Sequence, residues 1–250
     1  GAAAYIGELD SEPTRTSLPI TNDAEIVQLS PGAGGVDLAA PAQGYPDSPE
    51  RYRPSGEITF ARLVAADDEV ARAAAELAID GGLRRVMVPQ ARGPYEKLVL
   101  AEFESEAAAV GLETVPDGEA DAALRIEQDG GFTLVPRRAG VPELAISPHL
   151  VPQPPGASDL GAVPVADPRS AAYAAAGYAA MQLVLQAIAE AAGDEGDDEF
   201  RLRVADAVLG AERSDSPLGS YSIDEGGEPD LCVQPYVNGR ARESPLCPEG

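Results

Sequence analysis

The scarcest residues in this chain narrow its chemistry first. Its 250 residues include 1 histidine, 2 cysteines, and 18 basic side chains against 42 acidic ones. Nucleophilic catalysis needs a base beside a nucleophile, and the single His149 accompanies no serine or cysteine in an elbow such as G-x-S-x-G. No metal-ligand spacing is present, and carboxylate pairs such as Asp67 and Asp68 discriminate nothing in so acidic a chain. No catalytic residue, metal ligand or cofactor is therefore assigned, and the chain is not read as an enzyme. The formal net charge of −24 repels phosphate backbones and anionic headgroups, which sets nucleic acid aside as a partner.

Long hydrophobic runs are missing too. The Ala-rich stretch after Ser170 is interrupted by Gly177 and Gln182 and stops at Glu190. A bilayer crossing takes roughly 18 to 20 uninterrupted apolar residues. Gly1 to Ala4 show neither a basic n-region nor a cleavage site, so any export signal is expected to have been removed or to lie outside this chain. Cys232 and Cys247 flank a polar, Pro-containing segment, which suits one local disulfide and with it an oxidising compartment; two free thiols are the alternative.

What is present alternates. Short strand-like runs and longer helical ones follow one another, as in a parallel sheet covered by helices, and the length favours two lobes over one compact domain. Tyr5 to Leu9 reads as a strand, Ser11 opens a helix with Pro13 in its first turn, and Ile26 to Leu29 is the next strand. Gly32 to Gly35 form a turn, Pro41 to Gly56 an exposed loop or the approach of a crossing strand, and Ile58 to Leu63 a further strand. Asp67 is expected to cap a helix whose apolar face is Val70, Ala74, Leu77 and Ala78 and which Gly81 and Gly82 end. Val86 to Val88, a helix carrying Leu98, Val99, Phe103, Ala107 and Val110, and Leu112 to Val115 follow. Brief strands are expected at Ala122 to Ile126, Phe132 to Val135 and Leu144 to Ile146. Asp167 with Pro168 opens the strongest helix, with Tyr173, Gly177, Ala180, Met181, Val184 and Ile188 sharing a face. An acidic loop from Asp194 and a helix over Phe200 to Leu209 complete the pattern.

Three stretches carry a resemblance. YIGELDSEPTRTSLPITNDAEIVQLSPGAGGVDL, from Tyr5 to Leu38, resembles the strand, Ser-capped helix, strand and "SPA-T" turn of the leucine/isoleucine/valine-binding branch of type I periplasmic binding proteins. Ile58 to Val115 is similar to that family's lobe-crossing "R" strand, its helix and the "D-x-x-YG-x-G" loop. SPLGSYSIDEGGEPD, from Ser216 to Asp230, resembles the closing "G-x-x-x-F-D-x-x-G-D" segment. The resemblance implies an α/β, two-lobed type I periplasmic-binding fold with parallel sheets flanked by helices. The N-terminal lobe is expected to be incomplete, since nothing precedes Tyr5 that could supply the family's first β-α-β unit. Residues 1–57 with 166–215 are assigned to lobe one, and 58–165 with 216–250 to lobe two.

The implied ligand is an amino acid held between lobes that close, its carboxylate on hydroxyl and N–H groups. Ser11 is either such a hydroxyl or simply the helix cap. Ser30, Gly32 and Gly34 match the ligand-facing turn, with Gly34 where threonine is usual; a turn that needs positive φ is the plainer reading. Tyr95 matches the aromatic of the "YG" loop or is a half-buried helix-start residue, with Gln90 and Glu96 replacing the usual Asp and Gly. His149 stands where relatives carry an acidic group for the ligand ammonium, and is either a cleft residue or structural. The implied protein is an extracytoplasmic solute-binding module, in the periplasm or at the cell surface. It would serve an ABC-type uptake system or a sensor, bind an amino acid or amide, and meet a membrane permease or receptor. The alternative is an interaction or structural domain whose cleft has degenerated. A homodimer through the incomplete lobe is also expected.

Overall fold

The computed structural model of the protein describes residues 1–127, 130–148, 168–192, 199–242 and 246. The chain divides into two compact units, Gly1–Ala65 with Val151–Leu231 and Ala66–Leu150 with Cys232–Gly250.

The first unit is built on a three-stranded parallel sheet, β1 (Ala4–Ile6), β2 (Val27–Ser30) and β3 (Phe60–Arg62), in that spatial order. Helix α1 (Ser11–Asp23) connects β1 to β2. All four residues of β2 are buried, as expected of a parallel strand covered on both faces. Alternation sorts them. Val27 and Leu29, with Ala61 and Leu63, pack against α4 (Pro168–Glu190) and α5 (Phe200–Val208) through Ala176, Ala180, Leu183, Ala187, Val204 and Val208. On the other face Phe60 packs with Leu18 of α1, Leu38 and Tyr52.

Helix α4 keeps part of the expected face. Ala180 and Val184 are buried as expected, and Ala175, Ala176, Ala179 and Leu183 join them, whereas Met181 is 49 % exposed. The helix is apolar nearly all round, so periodicity could not select its inner side; small alanines take the face that approaches the sheet.

The second unit carries a seven-stranded sheet. Its strands are β4 (Arg85–Met87), β5 (Glu113–Val115), β6 (Ala122–Ile126), β7 (Phe132–Pro136), β8 (Leu144–Ser147), β11 (Gln234–Val237) and β12 (Arg240–Ala241). They lie in the order β12-β11-β8-β7-β6-β4-β5. β5, β4 and β6 are parallel; β6, β7, β8, β11 and β12 pair antiparallel. The link from Ile126 to Phe132 is too short for a parallel crossover and long enough for a hairpin. Helices α2 (Asp67–Asp80) and α3 (Pro94–Ala109) supply the core, with Val70, Ala74, Leu77, Ala78, Leu98, Val99 and Phe103 all buried. The Phe103 and Phe132 rings meet at 5.6 Å. Asp67 is the first helical residue rather than the cap; Ala66 takes that position.

Two crossings between units fall later than the sequence-based 57/58 and 215/216 divisions, and the third division, 165/166, lies outside the described residues. Two observations explain the shift. β3 pairs with β2, which holds residues 58–65 in the first unit. The 216–231 segment joins it through β9 (Glu212–Arg213) and β10 (Tyr221–Ser222), and through Gly227, whose C=O accepts from Arg62 N–H. A side chain on Gly227 would put its Cβ 2.0 Å from the Phe60 carbonyl oxygen, so only glycine allows this approach.

Candidate ligand-binding site

In open α/β sheets, ligands bind beyond the carboxyl ends of the parallel strands. In the first unit that end collects Ser11 after β1, Ser30 through Gly35 after β2, and Arg62 of β3. Ser11 is at the first helical position of α1, with Asp10 as the cap, so its hydroxyl does not cap the helix. Instead Ser11 Oγ accepts from Gly35 N–H at 2.8 Å. Its own proton has no acceptor among the described residues, and Ser11 is 8 % exposed.

Ser30 is spent internally. Its hydroxyl donates to the Glu8 carbonyl at 2.6 Å and accepts from Ala33 N–H at 2.9 Å and Gly32 N–H at 3.3 Å. Gly32 does not have the positive φ expected of it; its requirement is space, since a Cβ there would lie 2.4 Å from the Leu9 carbonyl oxygen. Gly34 is buried in the same turn.

Two ion pairs fix this turn, and both escaped the sequence reading. Arg62, 1 % exposed, donates through Nη1 to the Gly35 and Ala33 carbonyls at 3.0 and 3.3 Å. Its Nε and Nη2 donate to Glu228 at 2.8 and 2.5 Å. Asp37, fully buried, accepts from Arg15 Nε and Nη2 at 2.9 and 2.6 Å and from the Tyr52 hydroxyl at 2.7 Å. The Arg15 guanidinium also stacks 4.3 Å above the Tyr45 ring. Burial first, then the bond to Asp37, push the Tyr52 phenol above its ordinary range. Burial alone would lower Arg15, but the hydrogen bonds and charge of Asp37 outweigh it and hold the guanidinium above its ordinary value. One signal was available: Arg15 follows Ser11 by four residues, hence shares its helix face.

The second unit presents Tyr95 at the start of α3, half-buried. Gly130, at φ +82°, faces it: a Cβ there would lie 3.6 Å from the Tyr95 hydroxyl and 3.3 Å from Asp67 Oδ1. Glu96 has a local role, accepting from Arg92 N–H at 2.7 Å and pairing with its guanidinium, and the Arg92 hydrogen bonds hold its carboxyl below the usual range. Cys232 is disulfide-bonded. Cys247, the expected partner, and His149 lie outside the described residues. Among the described residues no cluster of three or more His, Cys, Asp or Glu side chains could hold a metal, and no helix is long and apolar enough to cross a membrane.

The fold recurs in solved structures. The leucine-binding protein LivK of Thermotoga maritima matches with a TM-score of 0.71 at 18 % identity, over 99 % of this chain and 80 % of its own. An ABC transporter substrate-binding protein of Desulfitobacterium hafniense in complex with Leu matches with a TM-score of 0.66 at 18 % identity, over 97 % and 80 %. This chain has the fold of ABC transporter substrate-binding proteins. A Rhodopseudomonas palustris solute-binding protein in complex with benzoate shares that substrate-binding fold, with a TM-score of 0.65 and 17 % identity over 99 % of this chain and 78 % of its own. No family model and no curated protein matches the sequence itself.

Proposed function

We propose that this protein is an extracytoplasmic solute-binding module of an ABC-type uptake system or sensor, which takes a small polar ligand such as an amino acid or amide and performs no catalysis. The observation that carries the reading is Ser11: a nearly buried hydroxyl at a helix N-terminus, at the carboxyl end of the sheet, with its proton uncommitted among the described residues. That group, with α1's first amides, suits a carboxylate. The comparison structures that bind Leu and benzoate both hold ligands carrying a carboxylate, which supports the same class here. A membrane permease or receptor is the matching partner.

Calorimetric titration with leucine, other amino acids, their amides and benzoate tests the proposal. At least one is expected to bind saturably, and Ser11→Ala to weaken it about 10-fold, the equivalent of one hydrogen bond to a charged group. A folded sample that binds none of them would defeat the reading. It would favour the second one, an interaction domain, for which the internal use of Ser30 speaks. β1 pairs only with β2 among the described residues, so a second copy could extend the sheet there, and a monomeric mass in solution would remove that homodimer.

A further inference from the structure

Positive charge is sparse in this chain, and several arginines gather at one place in the second unit. At the N-terminal ends of β4, β5 and β6, opposite the end that carries Tyr95, lies an open depression of about 640 Å³. Arg84, Arg85, Arg137 and Arg138 all line it, 4 of only 18 basic residues. Their convergence is built into the sheet. Asp121 N–H donates to the Arg85 carbonyl and Arg137 N–H to the Asp121 carbonyl, both at 2.8 Å. The Asp121 carboxylate accepts from Arg84 and Arg85 N–H at 2.7 and 3.0 Å and pairs with the Arg138 side chain.

The charges do not cancel. Arg85 pairs with Glu113 at 2.8 Å and Arg138 with Asp121. Arg84 and Arg137 have no carboxylate partner among the described residues: Arg84 Nη1 donates to the Leu83 carbonyl and Arg137 rests on the Met87 sulfur. Four guanidinium groups thus face three carboxylates, Glu113, Glu119 and Asp121. A guanidinium fork matches two oxygens of an oxyanion at once, and a multiply charged one can engage both forks that face no carboxylate partner and outweigh Glu119. A monocarboxylate engages one. A long polyanion would also meet the surrounding field of a chain at −24.

We propose that this depression is a second ligand site that takes a compact polyvalent oxyanion of the pyrophosphate or phosphate-ester class. It stands on residues separate from the Ser11 shelf and does not depend on that reading. The test is calorimetric titration of the whole chain with sodium pyrophosphate at constant ionic strength, with sodium chloride as control. Saturable 1:1 binding is expected. The Arg84→Ala, Arg137→Ala double variant should weaken it about 10-fold or more with an unchanged Tm, the Arg→Lys pair should weaken it less, and Glu119→Gln should tighten it. Glu119→Gln keeps the test valid if the alanine pair fails to fold. Cosedimentation with phosphatidylglycerol-containing vesicles separates the sources. Pelleting that the double variant abolishes assigns the phosphate to a lipid headgroup, and pyrophosphate heat without pelleting assigns it to a free solute. Neither heat nor pelleting, or equal pyrophosphate affinity in a folded double variant, would overturn the proposal.

Discussion

Asp37 has no exposed surface and takes three donors, two from Arg15 and one from Tyr52. Removing its charge would take the buried carboxylate from the Arg15 guanidinium, whose side chain is 9 % exposed, and leave beside it the exposed Glu12. Breaking a buried pair from one side costs about 3 to 5 kcal/mol, because the remaining charge keeps its desolvation penalty. Asp37→Asn is therefore expected to lower the unfolding free energy by about 3 kcal/mol in urea titration, and a loss below about 1 kcal/mol would show the pair to be screened. None of this is visible locally. Asp37 reads as one of 42 acidic residues until the chain brings it against α1.

Among the elements, α4 and the β4–β6 edge make separate predictions. Gly177 is inside α4, and among the described residues a Cβ added there would meet no heavy atom within 4 Å beyond its chain neighbours and the adjacent backbone of its own helix. Gly177→Ala should stabilise the protein by about 0.5 to 1 kcal/mol, read as a raised Tm, since alanine restricts the unfolded chain and suits the helix. Asp121 behaves differently. The Arg84 amide, offset in part by burial and joined by the Arg85 amide and Arg138, holds its carboxyl below the usual carboxylate range. A depressed folded-state value contributes stability above the ordinary aspartate range, and that contribution is lost as pH falls through the lowered value. Asp121→Asn is expected to cost about 1 to 2 kcal/mol at neutral pH, and the gap from wild type to close in acid, measured as unfolding free energy against pH. The helix start at Ser11 and the strand at Ala122–Ile126 were legible because their signals are local. The inner face of α4 was legible only in part, at Ala180 and Val184, because an Ala-rich helix offers several nearly equivalent faces and the sheet chooses among them.

For the molecule as a whole, the −24 charge sets a salt response. Self-repulsion opposes the compact state, and at about 0.15 M salt the Debye length shrinks to about 8 Å. Calorimetric Tm should rise by a few degrees between low and physiological sodium chloride; a fall would show that favourable ion pairs outweigh the repulsion. Oxyanion binding at the arginine-lined depression should respond in the opposite sense and weaken with salt, because attraction there is screened as well.

Composition and periodicity by themselves determined the α/β class, most helix and strand positions, and the absence of a recognisable catalytic motif, since each depends on neighbours within a few residues. Tertiary structure alone decided the rest. It moved residues 58–65 and 216–231 into the first unit, committed Ser30 to its own turn, and joined Arg62 to Glu228 and Arg15 to Asp37. It also gathered four arginines at one sheet end. The physical reason is that buried charge is stable only beside its counter-charge, and which charges meet is set by strand order and register, which a linear pattern does not contain.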